Sequence, residues 1–281
     1  MNVTDNITYM GVDIGSVSTK LAIVDNQGHM KAGCCLPTAG NPTKALKEAL
    51  DQIRTVLPSD KLAGVAVTGS GRKLASELLG ADIIKNEITC QAIAALRTDR
   101  NVQTVVEIGG QDSKLIIIRN GLVADFGMNT VCAAGTGSFL DHQASRLGIS
   151  LEDMSQLAEK SLNPVTINAT CTVFAESDMI THQQTGFGCE DIVYGLCKAL
   201  VANFRRSVIQ SRMVREPVVF QGGVARNKGI QRAFREELGI DLLIPDHPEL
   251  TGAVGAALLC LAEKNPGESR FKGFNCLSLN R

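Results

Sequence analysis

The chain has 281 residues, a formal net charge of −1 and 44% hydrophobic residues. This length and composition are typical of a globular α/β protein with one large or two medium domains. A nearly neutral chain with only 4% aromatic residues has neither the basic surface nor the stacking side chains that nucleic-acid binding requires, so nucleic-acid partners are excluded.

The cysteine content and the apolar runs bear on the cellular compartment. Nine cysteines, an odd number with no CxxC pair, do not form the pattern of a disulfide framework and favour a reducing environment. The charge-free apolar run at 250–262 is too short to span a bilayer. The first ten residues lack the basic and apolar segments of a signal peptide. We therefore expect a cytoplasmic protein with no membrane segment.

The first segment of the chain predicts a β-hairpin. A strand ends near Asp13, a turn follows at Gly15 and Ser16, and a second strand runs through Lys20. Backbone N–H groups and hydroxyls at such a tip can hold phosphate, with Lys20 as a cation and Asp13 as a ligand of magnesium-bound water. A glycine turn is usually only a turn, so this segment is weak evidence by itself.

The hairpin pattern recurs ninety-four residues further along the chain. Residues 64–75 and 217–229 also match each other, because each reads as an apolar strand followed by two glycines and a helix. The chain therefore has the pattern of an internal duplication. The corresponding hairpin positions are Asp13 with Glu107, Ile14 with Ile108, Gly15 with Gly109, Lys20 with Lys114, Leu21 with Leu115 and Ile23 with Ile117.

Helices are predicted between and after these hairpins. Helical periodicity covers residues 42–56, 87–97, 151–162 and 191–212, the last with an apolar residue every four positions from Ile192 to Val208. Strands that alternate with helices predict two α/β domains with similar sheets and a cleft between them. The predicted domains are residues 1–98 together with a C-terminal helix at about 248–263, and residues 99–247.

Two cysteines stand just ahead of helix-like patterns, Cys132 and Cys171. A thiolate at the positive end of a helix is suited to a metal. Zinc or an iron–sulfur cluster takes four protein ligands, so a metal centre at these cysteines requires two copies of the chain. The alternative is that both are small buried hydrophobic residues, and spacing alone favours that alternative.

Six motifs resemble one family when they are taken together: GVDIGSVSTK, VVEIGGQDSK, CAAGTGSFLD, CTVFAESDMI, GGVARN and TGAVGAA. They are similar, over nearly the whole chain, to the activator ATPases of 2-hydroxyacyl-CoA dehydratases and benzoyl-CoA reductases. The hairpins alone resemble the broad actin, hexokinase and Hsp70 superfamily, and the cysteine motifs narrow the match. Neither a P-loop nor a complete GxGxxG motif is present. The segment NTVCAAGTGSFLDHQA resembles the activases that serve double-cubane cluster proteins, or large activase fusions, more than the well-known dehydratase activators.

The resemblance implies an α/β fold of duplicated ribonuclease-H-like domains with ATP or ADP and Mg²⁺ in an interdomain cleft. It also implies a homodimer that holds one [4Fe–4S] cluster through Cys132 and Cys171 of each chain. Asp112 is our choice to orient the attacking water or the magnesium hydration shell, with Gln111 and Glu107 as further catalytic candidates; the alternative for Asp112 is a turn-forming aspartate. The implied nucleotide-binding residues are Asp13, Gly15, Ser16, Thr19 and Lys20 in the first loop, Gly109 and Gly110 in the second, Gly135, Thr136 and Gly137 after Cys132, and Gly222 and Gly223 on the adenosine side.

The activity that the resemblance implies is an ATP-driven one-electron reductase. A ferredoxin or flavodoxin is the implied electron donor, and an iron–sulfur dehydratase, reductase or double-cubane protein is the implied acceptor. This chain has Glu107 where the family commonly has aspartate, and Val131 and Ser138 where it commonly has basic residues, which bears on the choice of partner. Two alternatives stay open: a sugar-type kinase of the same superfamily with structural cysteines, and a non-enzymatic ATP-binding regulator.

Overall fold

The computed structural model describes residues 7–57, 61–263 and 269–277. In these residues, each run of three successive strands is followed by helices and by two further strands. In chain order the elements are β1 (Thr8–Ile14), β2 (Ser18–Asp25), β3 (Met30–Pro37), α1 (Pro42–Arg54), β4 (Gly64–Thr68), α2 (Arg72–Leu79), β5 (Ile83–Ile84), α3 (Glu87–Thr98), β6 (Thr104–Ile108), β7 (Ser113–Arg119), β8 (Leu122–Asn129), α4 (Gly137–Leu147), α5 (Leu151–Lys160), α6 (Thr172–Gln184), α7 (Cys189–Phe204), β9 (Val218–Gln221), α8 (Lys228–Leu238), β10 (Leu242–Leu243) and α9 (Thr251–Ala262).

The chain divides into two compact units, residues 1–97 with 249–281 and residues 98–248. Each unit is built around one five-stranded sheet. In the first, the strands lie in the order β3-β2-β1-β4-β5; in the second, the order is β8-β7-β6-β9-β10. In both sheets the first three strands are antiparallel and the last two run parallel to the central strand. The two sheets therefore have the same topology.

Strands β4 and β6 are buried on both faces, which explains their composition. Every residue of β4 and β6 is buried, and a strand covered on both sides reads as a nearly continuous apolar run. The helix α9 packs on β1 at Gly11, where a β-carbon would overlap the Ala253 carbonyl. Glycine is required at this position because the helix backbone approaches the strand so closely.

The duplication predicted from the sequence is confirmed by strand register. Asp13 pairs with Lys20 between β1 and β2, and Glu107 pairs with Lys114 between β6 and β7. These are the positions that the ninety-four-residue offset matches. The two hairpins are therefore structural equivalents.

Several predicted helices need correction at their ends. The helix predicted at 191–212 is α7 as far as Phe204, and the chain then continues as a π-helical turn, Arg205–Ile209. Its predicted core positions, Ile192 to Val208 at intervals of four, are buried. The helix predicted directly after Cys132 is preceded by a 3₁₀ turn, Ala133–Gly135. Within the described ranges, no helix combines the length and apolarity needed to cross a membrane.

Candidate functional site

The first hairpin places Asp13 at the centre of its sheet, next to the turn. Its carboxylate Oδ2 lies 3.3 Å from the Nζ atom of Lys20 on the antiparallel neighbour, and Thr68 is its partner on the parallel neighbour. Gly69 follows with a φ of +89°, and a β-carbon there would lie 2.5 Å from Asp13 Oδ1 and would overlap the Ile14 carbonyl. Glycine is thus the residue that fits beside this carboxylate.

The second hairpin repeats the arrangement with different side chains. Glu107 is paired with Lys114 on one side and with Gln221 on the other. Gly222 has a φ of +85°, and a β-carbon there would overlap the Ile108 carbonyl and lie 3.0 Å from Glu107 Oε1. The equivalence confirms the sequence match between residues 64–75 and 217–229.

A buried lysine stabilises the turn of the second hairpin. The Nζ atom of Lys114 lies 2.8 Å from Glu107 Oε2 and 2.7 Å from Asp112 Oδ1. The side chains of Lys114 and Glu107 are 3% and 6% exposed, whereas that of Asp112 is 30% exposed. Because the Lys114 ammonium is shielded from water, the two carboxylates balance its positive charge. Asp112 is the member of this triad that an incoming ligand can reach.

The turn itself is closed by a hydrogen bond from Gly109 N–H to the Asp112 carbonyl, at 3.0 Å. Gln111 is exposed at its tip. Two backbone carbonyls of the turn also accept hydrogen bonds from the start of α4. The N–H of Gly137 donates to the Gly109 carbonyl at 2.8 Å, and the N–H of Ser138 donates to the Gly110 carbonyl at 2.8 Å. The loop predicted to bind phosphate and the start of α4 are therefore one hydrogen-bonded structure.

Close packing explains why α4 begins with glycine. A β-carbon on Gly137 would lie 2.9 Å from the Gly109 carbonyl oxygen and 3.2 Å from Val224 Cγ2. The hydroxyl of Ser138 adds a second contact, because its Oγ donates to the Gly110 carbonyl at 2.6 Å. Ser138 thus anchors α4 to the loop.

Cys132 and Cys171 are partly exposed free thiols, so the alternative that both are buried hydrophobic residues is wrong. Cys132 precedes the 3₁₀ turn, and Asn129 holds it in place by accepting its backbone N–H at 3.0 Å and donating to its carbonyl at 2.8 Å. Cys171 is the N-cap of α6 in extended conformation, and its carbonyl accepts the N–H of Ala175 at 3.0 Å.

Four other cysteines are unsuited to metal binding because they are buried. Burial raises the pKa of Cys34 to about 11, and it raises the pKa of Cys90, Cys197 and Cys260 to about 12. The thiolate is the form that binds metal. These four side chains therefore stay protonated and act as core residues at neutral pH.

Asn203, in the last turn of α7, lies between the loops that carry Cys132 and Cys171. Its Nδ2 atom donates to the Ala169 carbonyl at 2.7 Å and lies 4.0 Å from Cys132 Sγ. A β-carbon on Gly135 would lie 2.7 Å from Asn203 Oδ1. Sequence reasoning missed this residue. The available signal was a lone asparagine among the apolar residues of a helix that is otherwise almost entirely core.

A charged contact joins the helices that follow the two cysteines. Glu176 of α6 forms an ion pair with Arg146 of α4, and its Oε2 atom lies 3.5 Å from Nδ1 of His142, also on α4. Glu176 therefore links α4 and α6.

The remaining site residues differ in accessibility. Ser16 and Gly223 are exposed, and Gly15 is partly exposed. Thr19 is fully buried with its hydroxyl 3.0 Å from that of Thr38, and buried Thr136 donates its hydroxyl to the Ala133 carbonyl at 2.8 Å. Both hydroxyls are engaged inside the fold, so this geometry does not present them to a phosphate.

The repeated sheet with an acid–lysine hairpin in each copy defines an actin/hexokinase-like fold. A glucokinase of the ROK family from Streptomyces griseus shares that fold with a TM-score of 0.54 at 15% identity, covering 90% of this chain and 98% of that one. At this low identity the likeness concerns the fold alone.

The model of the BadF/BadG/BcrA/BcrD ATPase family matches residues 10–260, and the chain belongs to this family. The 2-hydroxyisocaproyl-CoA dehydratase activator of Clostridioides difficile is 37% identical over 94% of this chain and 98% of its own length. The (R)-2-hydroxyglutaryl-CoA dehydratase activating ATPase of Acidaminococcus fermentans is 34% identical over 90% and 96%. The solved structure of the Clostridium difficile activator with bound ADPNP has a TM-score of 0.83 at 36% identity, covering 92% of this chain and 95% of that one.

The buried triad leads to a stability prediction. Lys114→Met leaves two carboxylates without their shared cation, so we expect a loss of about 3–5 kcal/mol in the free energy of unfolding. Chemical denaturation measures this loss. The control is Lys198→Met, which removes an exposed lysine 3.3 Å from Glu236 and should cost roughly 1 kcal/mol or less. Equal losses of unfolding free energy in the two variants would contradict the claim that the contacts of Lys114 stabilise the fold.

Proposed function

We propose that this protein is an ATP-driven one-electron reductase that activates a partner iron–sulfur enzyme. The observation that carries the proposal lies within the second unit: the loop of Gly109 to Asp112 is bonded to the start of α4, only five residues after Cys132. Residues 132–138 thus connect a thiol suited to iron with a loop suited to a nucleotide, through the hydrogen bonds of Gly137 and Ser138. The relatives named as dehydratase activators support the same function.

The cysteines fit an iron–sulfur centre that is shared between two chains. Thiolates are the usual ligands of such clusters, and a [4Fe–4S] cluster takes four of them. Among the described residues, no group of three or more potential metal ligands lies together in one chain. Cys132 and Cys171 from each of two copies would complete the set. When bound, the cluster supplies a site that accepts and passes on a single electron.

Exposed apolar side chains near the cysteines support a homodimer. Val131, Val173 and Phe174 are 95%, 70% and 57% exposed, and each is within three residues of Cys132 or Cys171 in sequence. Apolar side chains of this kind are covered when protein surfaces associate. We propose that a second copy of this chain covers them.

We propose that the protein binds ATP with Mg²⁺, and that its two domains are residues 1–98 with about 248–263 and residues 99–247. In the first loop Gly15, Ser16 and Lys20 would contact phosphate, and Asp13 would hold a magnesium-bound water. In the second loop the backbone of Gly109 and Gly110 would do the same. Gly222 and Gly223 would lie on the adenosine side.

The catalytic residue in this proposal is Asp112. Its partial exposure and its contact with Lys114 leave it fixed in orientation yet accessible, as the positioning of an attacking water requires. Glu107, which is buried, is the next candidate, and Gln111 at the loop tip is the other. ATP and water yield ADP and phosphate, with no phosphorylated protein intermediate.

The relatives named as dehydratase activators support the proposed acceptor, and the proposed donor comes from the family resemblance. A ferredoxin or flavodoxin would donate the electron in the cytoplasm, and an iron–sulfur dehydratase, reductase or double-cubane cluster protein would accept it. A sugar-type kinase of the same fold or a non-enzymatic regulator would need no cluster. Preparations without iron would therefore favour either alternative, and sugar-dependent ATP turnover would single out the kinase.

The ligand assignment predicts the effect of single cysteine variants. Cys132→Ala and Cys171→Ala should each abolish the brown colour, iron and sulfide of anaerobically purified protein, while ATP binding stays measurable. The control is Cys189→Ala, which removes an exposed cysteine at the start of another helix. Stoichiometric iron in either ligand variant would refute the assignment.

The role of Asp112 predicts a kinetic separation. Asp112→Asn should bind ATP normally but hydrolyse it roughly 10²-fold or more slowly, because a residue that positions water acts in the transition state. Steady-state hydrolysis and equilibrium binding measure the two effects. Asp99→Asn, in a surface turn where Asp99 accepts the Asn101 N–H, should change neither. Near-normal turnover in Asp112→Asn would move the catalytic role to Glu107.

Coupling between the loop and the cluster predicts a nucleotide-dependent exposure of the iron. Chelation by bathophenanthroline should be faster with a non-hydrolysable ATP analogue than with ADP, since linkage acts in both directions. Glu176→Gln weakens the contact between α4 and α6 and should reduce the difference. The control is Glu236→Gln, which also loses two cationic partners, Lys198 and Arg232. Equal chelation rates with both nucleotides would mean that the cluster only links the two chains and does not respond to the nucleotide.

A further inference from the structure

The carboxamide of Asn203 is buried and its orientation is fixed by its neighbours. The residue is 2% exposed. Its Nδ2 atom must be the donor toward the Ala169 carbonyl, at 2.7 Å. The Ser207 hydroxyl donates to the Asn203 backbone carbonyl at 2.8 Å and lies 3.3 Å from Oδ1. An inverted amide would place two oxygens against each other at Ala169. The assignment of nitrogen and oxygen therefore follows from the hydrogen-bond network.

The second hydrogen of this amide group is directed toward Cys132. An asparagine side chain carries two N–H donors, and the Ala169 carbonyl uses one of them. The same Nδ2 atom lies 4.0 Å from Cys132 Sγ, at the long end of the range for contacts to sulfur. A purely structural role would explain the bond to Ala169, but it does not explain a donor beside the thiol.

The surrounding backbone keeps Asn203 in this position. Gly135 has no β-carbon, and one there would lie 2.7 Å from Asn203 Oδ1. Arg206 also donates to the Ala169 carbonyl, at 2.8 Å. Asn203 is the next-to-last residue of α7, and the π-helical turn begins two residues later; such turns are frequent at functional sites. Asn203 thus ties the loop before Cys171 to the turn after Cys132.

We propose that Asn203 is a positioning residue for the iron–sulfur centre and makes its reduction easier through an N–H···S contact with the Cys132 thiolate. The inference rests on the proposed function, because it needs Cys132 as a cluster ligand. One electron from the donor adds negative charge to the cluster and its sulfurs. A hydrogen-bond donor stabilises that charge and shifts the reduction potential to a more positive value. Asn203 itself exchanges neither an electron nor a proton.

The test compares two variants that both lack the donor. Asn203→Leu removes the N–H group without adding charge, and Asn203→Asp replaces it with a carboxylate that repels the reduced cluster. Anaerobic redox titration followed by electron paramagnetic resonance measures the midpoint potential. We expect the order wild type, leucine variant, aspartate variant, from least to most negative. We expect at least a tenfold drop in the ratio of reduced to oxidised cluster at a fixed potential for the aspartate variant, which is ~59 mV for one electron.

The matched control is Asn227→Asp. Asn227 is also a buried asparagine beside a cysteine, with Cys197 Sγ at 3.9 Å from its Oδ1, but Cys197 is a core residue. The aspartate can still cap α8 by accepting the Ile230 N–H, which Asn227 accepts at 3.0 Å. We expect an unchanged potential in this variant. Equal potentials in wild type and both Asn203 variants would overturn the proposal.

A measurement on the wild-type protein keeps the inference testable if the Asn203 variants do not fold. Protein labelled with ¹⁵N only at asparagine should show a nitrogen coupling to the reduced cluster in pulsed electron paramagnetic resonance. The absence of any asparagine coupling in cluster-loaded protein would refute the role of Asn203 and leave the proposed function intact. Wild-type protein that binds no cluster would refute the proposed function itself.

Discussion

The ion pairs of Lys114 are the interaction on which the second unit depends. An ammonium group that is 3% exposed lies within 2.8 Å of one carboxylate and 2.7 Å of another. Removing one partner of a buried pair costs far more than the pair gains over an apolar core. These contacts therefore determine the conformation of the hairpin and its turn, and they add little net stability relative to an apolar core. The equivalent pair in the first unit, Asp13 with Lys20, is longer at 3.3 Å and more exposed.

A rigid turn has consequences for the helix that follows it. The carbonyls of Gly109 and Gly110 accept the first N–H groups of α4, so a displacement of the turn moves the start of this helix. Two contacts then extend from this region to the segment around Cys171: the ion pair between α4 and α6, and the carboxamide of Asn203. The second unit thus contains a continuous set of contacts from the predicted nucleotide loop to both cysteines.

The sequence was sufficient to predict the repeated architecture because the repeat is local. An apolar strand, a glycine turn and a lysine at fixed spacing define each hairpin, and strand register pairs the same residues that the alignment of the two halves pairs. The six motifs quoted above were sufficient to predict the family. The family resemblance implies that Thr19 lies in a phosphate loop. In the structure its hydroxyl lies against that of Thr38, because side chains alternate between the two faces of a strand and that of Thr19 is on the buried face of β2.

Contacts between distant segments could not be read in the same way. Asn203 meets Cys132 across 71 residues and Ala169 across 34, and no spacing rule links positions so far apart. The π-helical turn after α7 was missed for a related reason, since the apolar pattern continues at helical spacing through Val208 while the backbone changes. Tertiary packing decides both features.

The central claim is that one chain supplies only half of the ligands of its metal centre. Native mass spectrometry of anaerobically purified protein tests this claim most directly, because it reports the mass and the iron content of the same species. The account predicts that the iron is carried by a dimer, with one four-iron cluster for two chains, and that monomers carry none. A monomer that retains a complete cluster would contradict it.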